Sequence, residues 1–283
     1  MDLVGKPDYT QVKLLYIGVA TYDMEEYYHN QTVRYSEAGV HVSQLNITCD
    51  VPNVDRLNDL FGTADLVMVS GGNTLFAIDR MRQTGLDRYL HDAMARGVVL
   101  VGGSAGAICW FDGGHSDSMD PATYKNAMLH PHPHANETAP HASWKYIRSP
   151  GLGFLPGLMV PHFDRRESNG LLRADDFFRM MLKHTGESGI AIDHYAGLII
   201  RGDSYRVFAA KGKPGTNLDG HFDRTDKGVP AVWQVNVLGT SSIIQLLPPA
   251  VGSLSDLLKP ALFVNEDSLL ETARKENPDD GIC

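Results

Sequence analysis

The chain has 283 residues, of which 43% are hydrophobic and 21% are charged, and this composition is that of an ordinary globular protein, not of a coiled coil or a disordered chain. Its formal net charge of −9 would repel a phosphate backbone, so we do not expect a nucleic acid as a partner. The three cysteines are far apart and no apolar run is long enough to cross a bilayer, so we expect neither a disulfide framework nor a membrane partner. The first residues lack a secretory pattern, and we therefore expect a cytoplasmic protein.

Short apolar runs alternate with longer segments of helical period in the N-terminal part of the chain. The apolar runs predict strands at 12–17, 40–47, 66–69 and 98–101. The helical spacing predicts helices over 23–38, 54–60, 73–82 and 86–96. This alternation is typical of βαβ units and predicts an α/β fold, with an open, mostly parallel sheet flanked by helices.

Regular patterning lapses over about 113–156, where we expect an inserted loop that covers the functional site. Beyond this loop, apolar runs predict strands at 158–160, 189–193, 197–201, 205–210 and 232–238, of which those at 189–193, 197–201 and 205–210 are expected to be antiparallel. A helix is predicted over 165–183, and a peripheral tail from about 264. We therefore expect a single α/β domain over 1–283 with a C-terminal antiparallel extension.

A glycine-rich turn, Gly102-Gly103-Ser104-Ala105-Gly106, follows the predicted strand at 98–101 and precedes a short helical segment. Small neighbours are typical of a nucleophile elbow, in which a sharp strand-to-helix turn exposes a serine hydroxyl. The amide of Ala105 would then face the oxyanion that forms during acyl transfer. A turn of this composition can also pack a helix against a strand or bind phosphate, and the turn alone does not decide between these interpretations.

Two other predicted strand ends carry groups that suit the same chemistry. Gly72 follows the strand at 66–69, and its N–H could supply a second oxyanion donor. His162 follows the strand at 158–160, which places its imidazole at the same edge as Ser104 if the sheet is parallel. The alternative for His162 is a structural role at the end of the strand, with its ring bonded to a loop. Because a serine hydroxyl needs a base within reach, we predict Ser104 as nucleophile and His162 as general base.

Three motifs together carry a family resemblance: Gly71-Gly72-Asn73-Thr74, Gly103-Ser104-Ala105-Gly106-Ala107 and Pro161-His162-Phe163. In this order they resemble the serine peptidase family of aspartyl dipeptidase (peptidase E) and cyanophycinase, over roughly 14–210. The resemblance implies a class I glutamine amidotransferase-like (flavodoxin-like) fold, no metal and no other cofactor. It also implies an acyl-enzyme route for cleavage after an N-terminal acidic residue.

The third catalytic position departs from the family pattern. Where the resemblance implies a glutamate at the end of Gly-Ile-Asp-Glu, this chain has Ala191-Ile192-Asp193-His194. A neutral imidazole can accept the orienting hydrogen bond but brings no negative charge, so we expect a slower reaction. Because neighbouring side chains on a strand face opposite sides, Asp193 and His194 cannot both face His162 unless the strand ends or bulges between them. We favour His194 as the third catalytic residue. Asp193 in this role and a site that has lost its activity are the alternatives. Asp117 and Asp120 are further alternatives, because the family carries an aspartate in the segment after the serine.

Substrate recognition is assigned to Arg173 and Asn73. The stretch Gly170-Leu171-Leu172-Arg173 resembles the one with which bacterial aspartyl dipeptidases bind an acidic residue, and a bidentate arginine suits a carboxylate. The alternative is a solvated helix face that pairs with Asp175, Asp176 and Glu167. The histidines between 130 and 141 alternate with prolines that spread the rings around the chain axis, so we predict no metal site there.

These predictions favour a serine exopeptidase that hydrolyses dipeptides or short peptides with an N-terminal aspartyl residue. One alternative is a cyanophycinase-like β-aspartyl isopeptidase. Another is a catalytically lapsed binding protein for acidic small molecules. The expected partner is a small acidic peptide substrate, and a homodimer is compatible with the sequence.

Overall fold

The computed structural model describes residues 3–129, 143–216, 229–238, 241–246 and 252–258. Within these ranges the first sheet is parallel throughout, with the strand order β2-β1-β3-β4. Its strands are β1 (Lys13–Ile17), β2 (His41–Leu45), β3 (Leu66–Val69) and β4 (Val99–Gly102). The predicted parallel sheet is therefore confirmed, because a strand forms at each of the four apolar runs.

Helices connect these strands, as the helical spacing predicted. They are α1 (Glu25–Glu37), α2 (Val54–Thr63), α3 (Thr74–Gln83) and α4 (Leu86–Ala95). Asn53 and Asn73 begin α2 and α3 by accepting a hydrogen bond from a backbone N–H of the first turn. Leu57 on α2 and Leu90 on α4 are buried, so each helix presents an apolar face to the core.

A second sheet is mixed and has the strand order β12-β11-β8-β7-β5-β6 in the described part of the chain. Its strands are β5 (Phe111–Ser116), β6 (Ile147–Pro150), β7 (Leu155–Val160), β8 (Gly189–Ile192), β11 (Val232–Leu238) and β12 (Ser241–Leu246). Strands β5, β7 and β8 are parallel, whereas β6, β11 and β12 pair antiparallel with their neighbours. Parallel strands thus continue into the second half of the chain.

A third, antiparallel sheet confirms the predicted C-terminal extension. It has the order β13-β10-β9 and consists of β9 (Ala196–Arg201), β10 (Ser204–Ala209) and β13 (Gly252–Ser253). A short helix, α8 (Leu254–Leu258), follows β13. Its buried Leu257 belongs to the same hydrophobic cluster as Tyr205 of β10.

The stretch over 113–156 is not the continuous surface loop that we expected. It contains most of β5, the helix α6 (Lys125–Leu129), the strand β6 and the start of β7. Strand β5 lacks an apolar signal because four of its six residues are glycine, histidine or serine, yet it is tightly packed. A β-carbon at Gly114 would lie 2.2 Å from the carbonyl oxygen of Met159 on β7. The histidine tract at 130–141 and the tail from about 264 lie outside the described residues.

The predicted helix over 165–183 is shorter than expected. Helix α7 runs from Arg173 to Met181, and Arg166 and Leu172 instead form an isolated antiparallel bridge. Gly170 has a φ of 74°, a left-handed conformation that a right-handed helix does not contain. The late start of α7 gives Arg173 the first helical position, and this placement determines its surroundings.

The short helix α5 (Ala105–Ile108) connects the two large sheets, because it packs against β3 and β4 of the first and against β5 and β7 of the second. Val69, Ile108 and Met159 belong to one cluster of buried hydrophobic side chains that spans both sheets. The turn that begins α5 therefore lies where the sheets meet. Among the described helices, none combines the length and the apolar character that a membrane crossing needs.

Candidate active site

Left-handed backbone conformations mark one edge of the molecule. Among the described residues other than glycine, φ is positive at Tyr22, Asp23, Ser104 and His162. Each of them follows the carboxyl end of a parallel strand: β1, β4 or β7. Such conformations are costly for residues with a side chain and tend to occur at functional sites. The predicted nucleophile and the predicted base are thus two of the four strained residues.

Ser104 lies on a turn that only small neighbours permit. Its φ is 53° and its ψ is −121°, immediately before α5. A β-carbon at Gly102 would lie 2.2 Å from the carbonyl oxygen of Gly106, and one at Gly106 would lie 2.2 Å from that of Val69. The chain therefore passes from strand to helix in the sharp turn that is typical of a nucleophile elbow.

Two backbone amides lie beside this turn without an internal acceptor. A β-carbon at Gly71 would lie 3.2 Å from the β-carbon of Ser104, so the loop after β3 contacts the serine directly. Gly72 has a φ of 135°, and a β-carbon there would lie 2.2 Å from the carbonyl oxygen of Ala20. In the described ranges no residue accepts a hydrogen bond from the N–H of Gly72 or of Ala105. Both amides can therefore donate to an oxyanion.

His162 forms a short contact with His194. Nδ1 of one ring lies 2.8 Å from Nδ1 of the other, so one nitrogen donates and the other accepts. When His194 accepts, His162 carries its proton on Nδ1 and its Nε2 has a free lone pair, which is the form that a general base needs. Helix α5, which begins beside Ser104, packs against β7, which ends just before His162. No hydrogen bond joins Ser104 to His162 within the described residues, and contacts of this kind often form only when substrate binds.

The surroundings of His162 keep its imidazole neutral. Burial is the largest cause that lowers its pKa to about 3, and the charges of Arg173, His194 and Arg165 lower it further. The carboxylate of Asp117 opposes this shift. His162 is therefore uncharged near neutral pH and can accept a proton.

Asp193 does not contact His162. Its carboxylate accepts hydrogen bonds from the backbone N–H and the hydroxyl of Thr216 and from the backbone N–H of Ala231. Burial raises its pKa to about 6. The strand β8 ends at Ile192, and beyond it Asp193 is buried whereas His194 is exposed. The hydrogen bond of His162 is made with His194, and the carboxylate of Asp193 is used by Thr216 and Ala231.

The two acids after β5 do not contact His162 either. Asp120 accepts hydrogen bonds from the N–H of Ala122 and from the hydroxyl of Ser168. Asp117 accepts one from Nη1 of Arg173, at 3.3 Å. Of these two acids, Asp117 is the one whose charge raises the pKa of His162, so its influence there is electrostatic.

The side chain of Asn73 is fully occupied by the fold. Its Nδ2 donates to the carbonyl oxygen of Ser118 and to the hydroxyl of Thr123, and its Oδ1 accepts from the N–H of Phe76. Asn73 is 5% exposed. It therefore holds the loop after β3 against the segment after β5, instead of making the direct substrate contact that we expected.

Arg173 lies inside the protein and not on a solvated helix face. Its side chain has no exposed surface, its Nη2 donates to the carbonyl oxygen of His115, and its Nη1 contacts Asp117 and Glu167. Its Cζ lies 5.2 Å from the ring centroid of Tyr146. Only Nε lacks a partner, so direct binding of a substrate through the other nitrogens would require these bonds to be exchanged.

Sequence reasoning missed Asp164. Its Oδ1 accepts a hydrogen bond from the backbone N–H of His194 at 2.8 Å, and only 4% of the residue is exposed. Its Oδ2 is buried without a hydrogen-bond partner in the described chain. The position of Asp164, two residues after His162, was the available signal. Asp164 therefore fixes the peptide that carries His194.

Comparisons with known proteins show what this chain is similar to. The model of peptidase family S51 matches residues 2–208. A Trypanosoma brucei brucei protein named G2/mitotic-specific cyclin-1 is 29% identical over 240 residues, which are 76% of this chain and 70% of that protein. The uncharacterized peptidase YgaJ of Bacillus subtilis is 36% identical over 100 residues, which are 35% of this chain and 33% of YgaJ.

A solved structure supports the fold. The crystal structure of a peptidase from an acI-B1 Actinobacterium superposes with a TM-score of 0.52 at 16% identity, over 85% of this chain and 83% of that one. This similarity confirms the expected glutamine amidotransferase-like (flavodoxin-like) fold with its extra antiparallel strands. Because the family model covers most of the chain, the chain belongs to peptidase family S51 and is a serine peptidase.

Proposed function

We propose that this peptidase removes N-terminal aspartyl residues from dipeptides or short peptides, with Ser104 as nucleophile and His162 as general base. The observation that carries the proposal is the 2.8 Å contact between Nδ1 of His162 and Nδ1 of His194, at the edge where the Ser104 turn lies. A serine on an elbow, a neutral imidazole and two unpartnered amides are the groups that acyl transfer requires.

The reaction follows from these positions. Ser104 Oγ attacks the scissile carbonyl carbon while its proton passes to Nε2 of His162, and the N–H groups of Gly72 and Ala105 stabilise the oxyanion. The protonated imidazole then gives this proton to the leaving amine, and the peptide bond breaks. Water attacks the resulting acyl-enzyme with His162 again as base, which releases the acid and restores Ser104.

His194 acts by positioning His162. By accepting the Nδ1 proton it selects the tautomer with a free Nε2, as a carboxylate does in other serine peptidases. It adds no negative charge to stabilise the imidazolium of His162, and the positive charges of Arg173 and Arg165 destabilise this imidazolium. We therefore expect a working but slow peptidase.

The preference for an acidic residue follows from the charges near His162. Arg173 and Arg165 both lower its pKa, so the positive potential extends to the reacting groups. A substrate carboxylate in this potential is stabilised, and a charged hydrogen bond of about 1.5–3 kcal/mol would favour it over a neutral side chain by one to two orders of magnitude.

The test is hydrolysis of Asp-Leu, Glu-Leu and Ala-Leu by the wild type and by Ser104→Ala, with Ser36→Ala as control because Ser36 is exposed on α1. We expect Ser104→Ala to lose at least about 1,000-fold in kcat/KM, the control to lose nothing, and Asp-Leu to be preferred over Ala-Leu. Activity of Ser104→Ala within tenfold of the wild type would refute the proposed mechanism. Equal rates with Asp-Leu and Ala-Leu would refute the proposed substrate.

A further inference from the structure

Two cationic side chains gather over one aromatic ring next to the histidine pair. Cζ of Arg165 lies 5.4 Å from the ring centroid of Tyr195, and Nζ of Lys213 lies 5.3 Å from the same centroid. The ring of Tyr195 in turn meets the ring of His194 edge-on, with centroids 4.6 Å apart. The two cations are therefore neighbours of the residue that orients His162.

Neither cation forms an ion pair within the described part of the chain, although the charge of Arg165 acts on Glu167 and opposes the rise of its pKa. Arg173 and Arg148 each contact a carboxylate there, whereas Arg165 and Lys213 form no ion pair. Nε of Arg165 is also buried without a hydrogen-bond partner. An unpaired buried donor on a charged group costs free energy, and a bound anion would remove this cost. Tyr195 supplies attraction to both cations but no negative charge.

The position of Arg165 ties this cluster to the reaction centre. Its backbone N–H donates to the carbonyl oxygen of His162 at 2.9 Å, and its charge lowers the pKa of His162. A dipeptide is short, since one extended residue spans about 3.5 Å, so a group one residue from the scissile bond stays in this neighbourhood. The planar fork of Arg165 suits a carboxylate, and Lys213 adds a second point charge.

We propose that Arg165 and Lys213, held over Tyr195, form a subsite that binds a carboxylate of the substrate. This inference rests on the proposed function and assigns substrate recognition to residues other than Arg173, whose nitrogens already contact Asp117, Glu167 and a carbonyl oxygen. The carboxylate has two sources in an aspartyl dipeptide: the side chain of the N-terminal residue and the C-terminus of the leaving residue.

Binding measured in the Ser104→Ala background tests this subsite without turnover. Calorimetry compares Asp-Leu with Ala-Leu, which lacks the side-chain carboxylate, and with Asp-Leu amide, which lacks the C-terminal one. We expect Arg165→Met to weaken binding of Asp-Leu about ten- to a hundredfold, and Lys213→Met by a smaller factor. If the ratio of the affinities for Asp-Leu and Ala-Leu falls towards one, the subsite binds the side-chain carboxylate. If the ratio for Asp-Leu and its amide falls towards one, it binds the C-terminal carboxylate.

Arg166→Met is the matched control, since Arg166 is exposed and donates to the carbonyl oxygen of Gly170. It should leave all affinities unchanged. Thermal unfolding checks that each variant is folded. If Arg165→Met does not fold, Lys213→Met provides the test of the subsite. The subsite would be overturned if the folded variants bind Asp-Leu within twofold of the Ser104→Ala parent and keep both affinity ratios within twofold. Altered ratios in a chain whose wild type hydrolyses no peptide would support the subsite and refute the proposed function.

Discussion

Two pairs of side chains, each joined by a short contact of a histidine ring, lie in different environments in this molecule. His115 on β5 contacts Asp176 on α7, with Nε2 and Oδ1 2.9 Å apart, and the ring has no exposed surface. His162 contacts His194 at 2.8 Å, at the edge of the sheets, where His194 is exposed. The carboxylate partner thus belongs to the pair in the core, and the pair beside Ser104 has an imidazole as its partner.

The difference shows that burial, more than the partner, sets the charge of both rings. Burial is the largest cause that lowers the pKa of His115 to about 4, although Asp176 opposes it. Burial also lowers the pKa of His162 most strongly, with no carboxylate bonded to the ring. Arg173 connects the two pairs, because it donates to the carbonyl oxygen of His115 and its charge acts on His162. A change at Arg173 therefore affects both pairs, whereas changes at His194 and His115 separate them.

The largest effect is expected from Arg173→Met. Removing the guanidinium leaves Asp117 and Glu167 without their shared cation, and breaking such a buried arrangement costs about 3–5 kcal/mol of unfolding free energy. Arg165→Met, which breaks no ion pair among the described residues, should cost about 1 kcal/mol or less. Urea unfolding measures both variants. Equal losses would show that Arg173 is not the structural link between the pairs.

A smaller effect is expected from His194→Glu, which gives the edge pair the carboxylate that the core pair already has. The carboxylate would stabilise the imidazolium of His162 and raise its pKa, so kcat/KM should rise about tenfold and its acidic limb should move to higher pH. His194→Gln is the neutral control and should move the limb less than His194→Glu, because it removes the charge of His194 without adding a negative one. A fall in kcat/KM of His194→Glu to the level of His194→Ala would mean that the site requires an imidazole here.

The smallest effect is expected from His115→Gln, whose amide can still donate to Asp176. The folded-state pKa of His115, about 4, lies below its ordinary value of 6.5, so the unfolded chain binds the proton first as the pH falls. The wild type should therefore lose about 1–2 kcal/mol relative to His115→Gln between pH 7 and pH 5. His162 and Asp193 titrate in both proteins and cancel in the difference. Parallel pH profiles of unfolding free energy would show that His115 does not titrate in this way.

The sequence predicted the first sheet and the Ser104 turn because each depends on local signals. Apolar runs of buried strands and glycines without space for a β-carbon are visible in the residues themselves. The alternation along a strand likewise predicted that Asp193 and His194 diverge, and the contact of His194 with His162 agrees with the favoured choice. Strand β5 was missed because its buried residues carry no apolar pattern.

The burial of Arg173 could not be predicted from spacing. Arginines are rarely buried completely, and this one is accommodated by partners from the segment after β5 and from the turn before α7. The contact with Asp117 joins residues 56 positions apart, so no local pattern reports it, whereas Glu167 lies near Arg173 in the chain and was named as a partner in the alternative interpretation. The same holds for Asn73, whose place in a motif suggested substrate contact while its bonds to Ser118 and Thr123 serve the fold.

The positive φ at Ser104 and His162 also bears on the stability of the chain. Glycine adopts such a conformation without strain, whereas a residue with a β-carbon loses about 1–3 kcal/mol there. Replacing either residue with glycine would relieve this strain and remove the hydroxyl or the imidazole. The two groups that acyl transfer needs are thus held at a cost to the fold, so stability and chemistry oppose each other at these two positions.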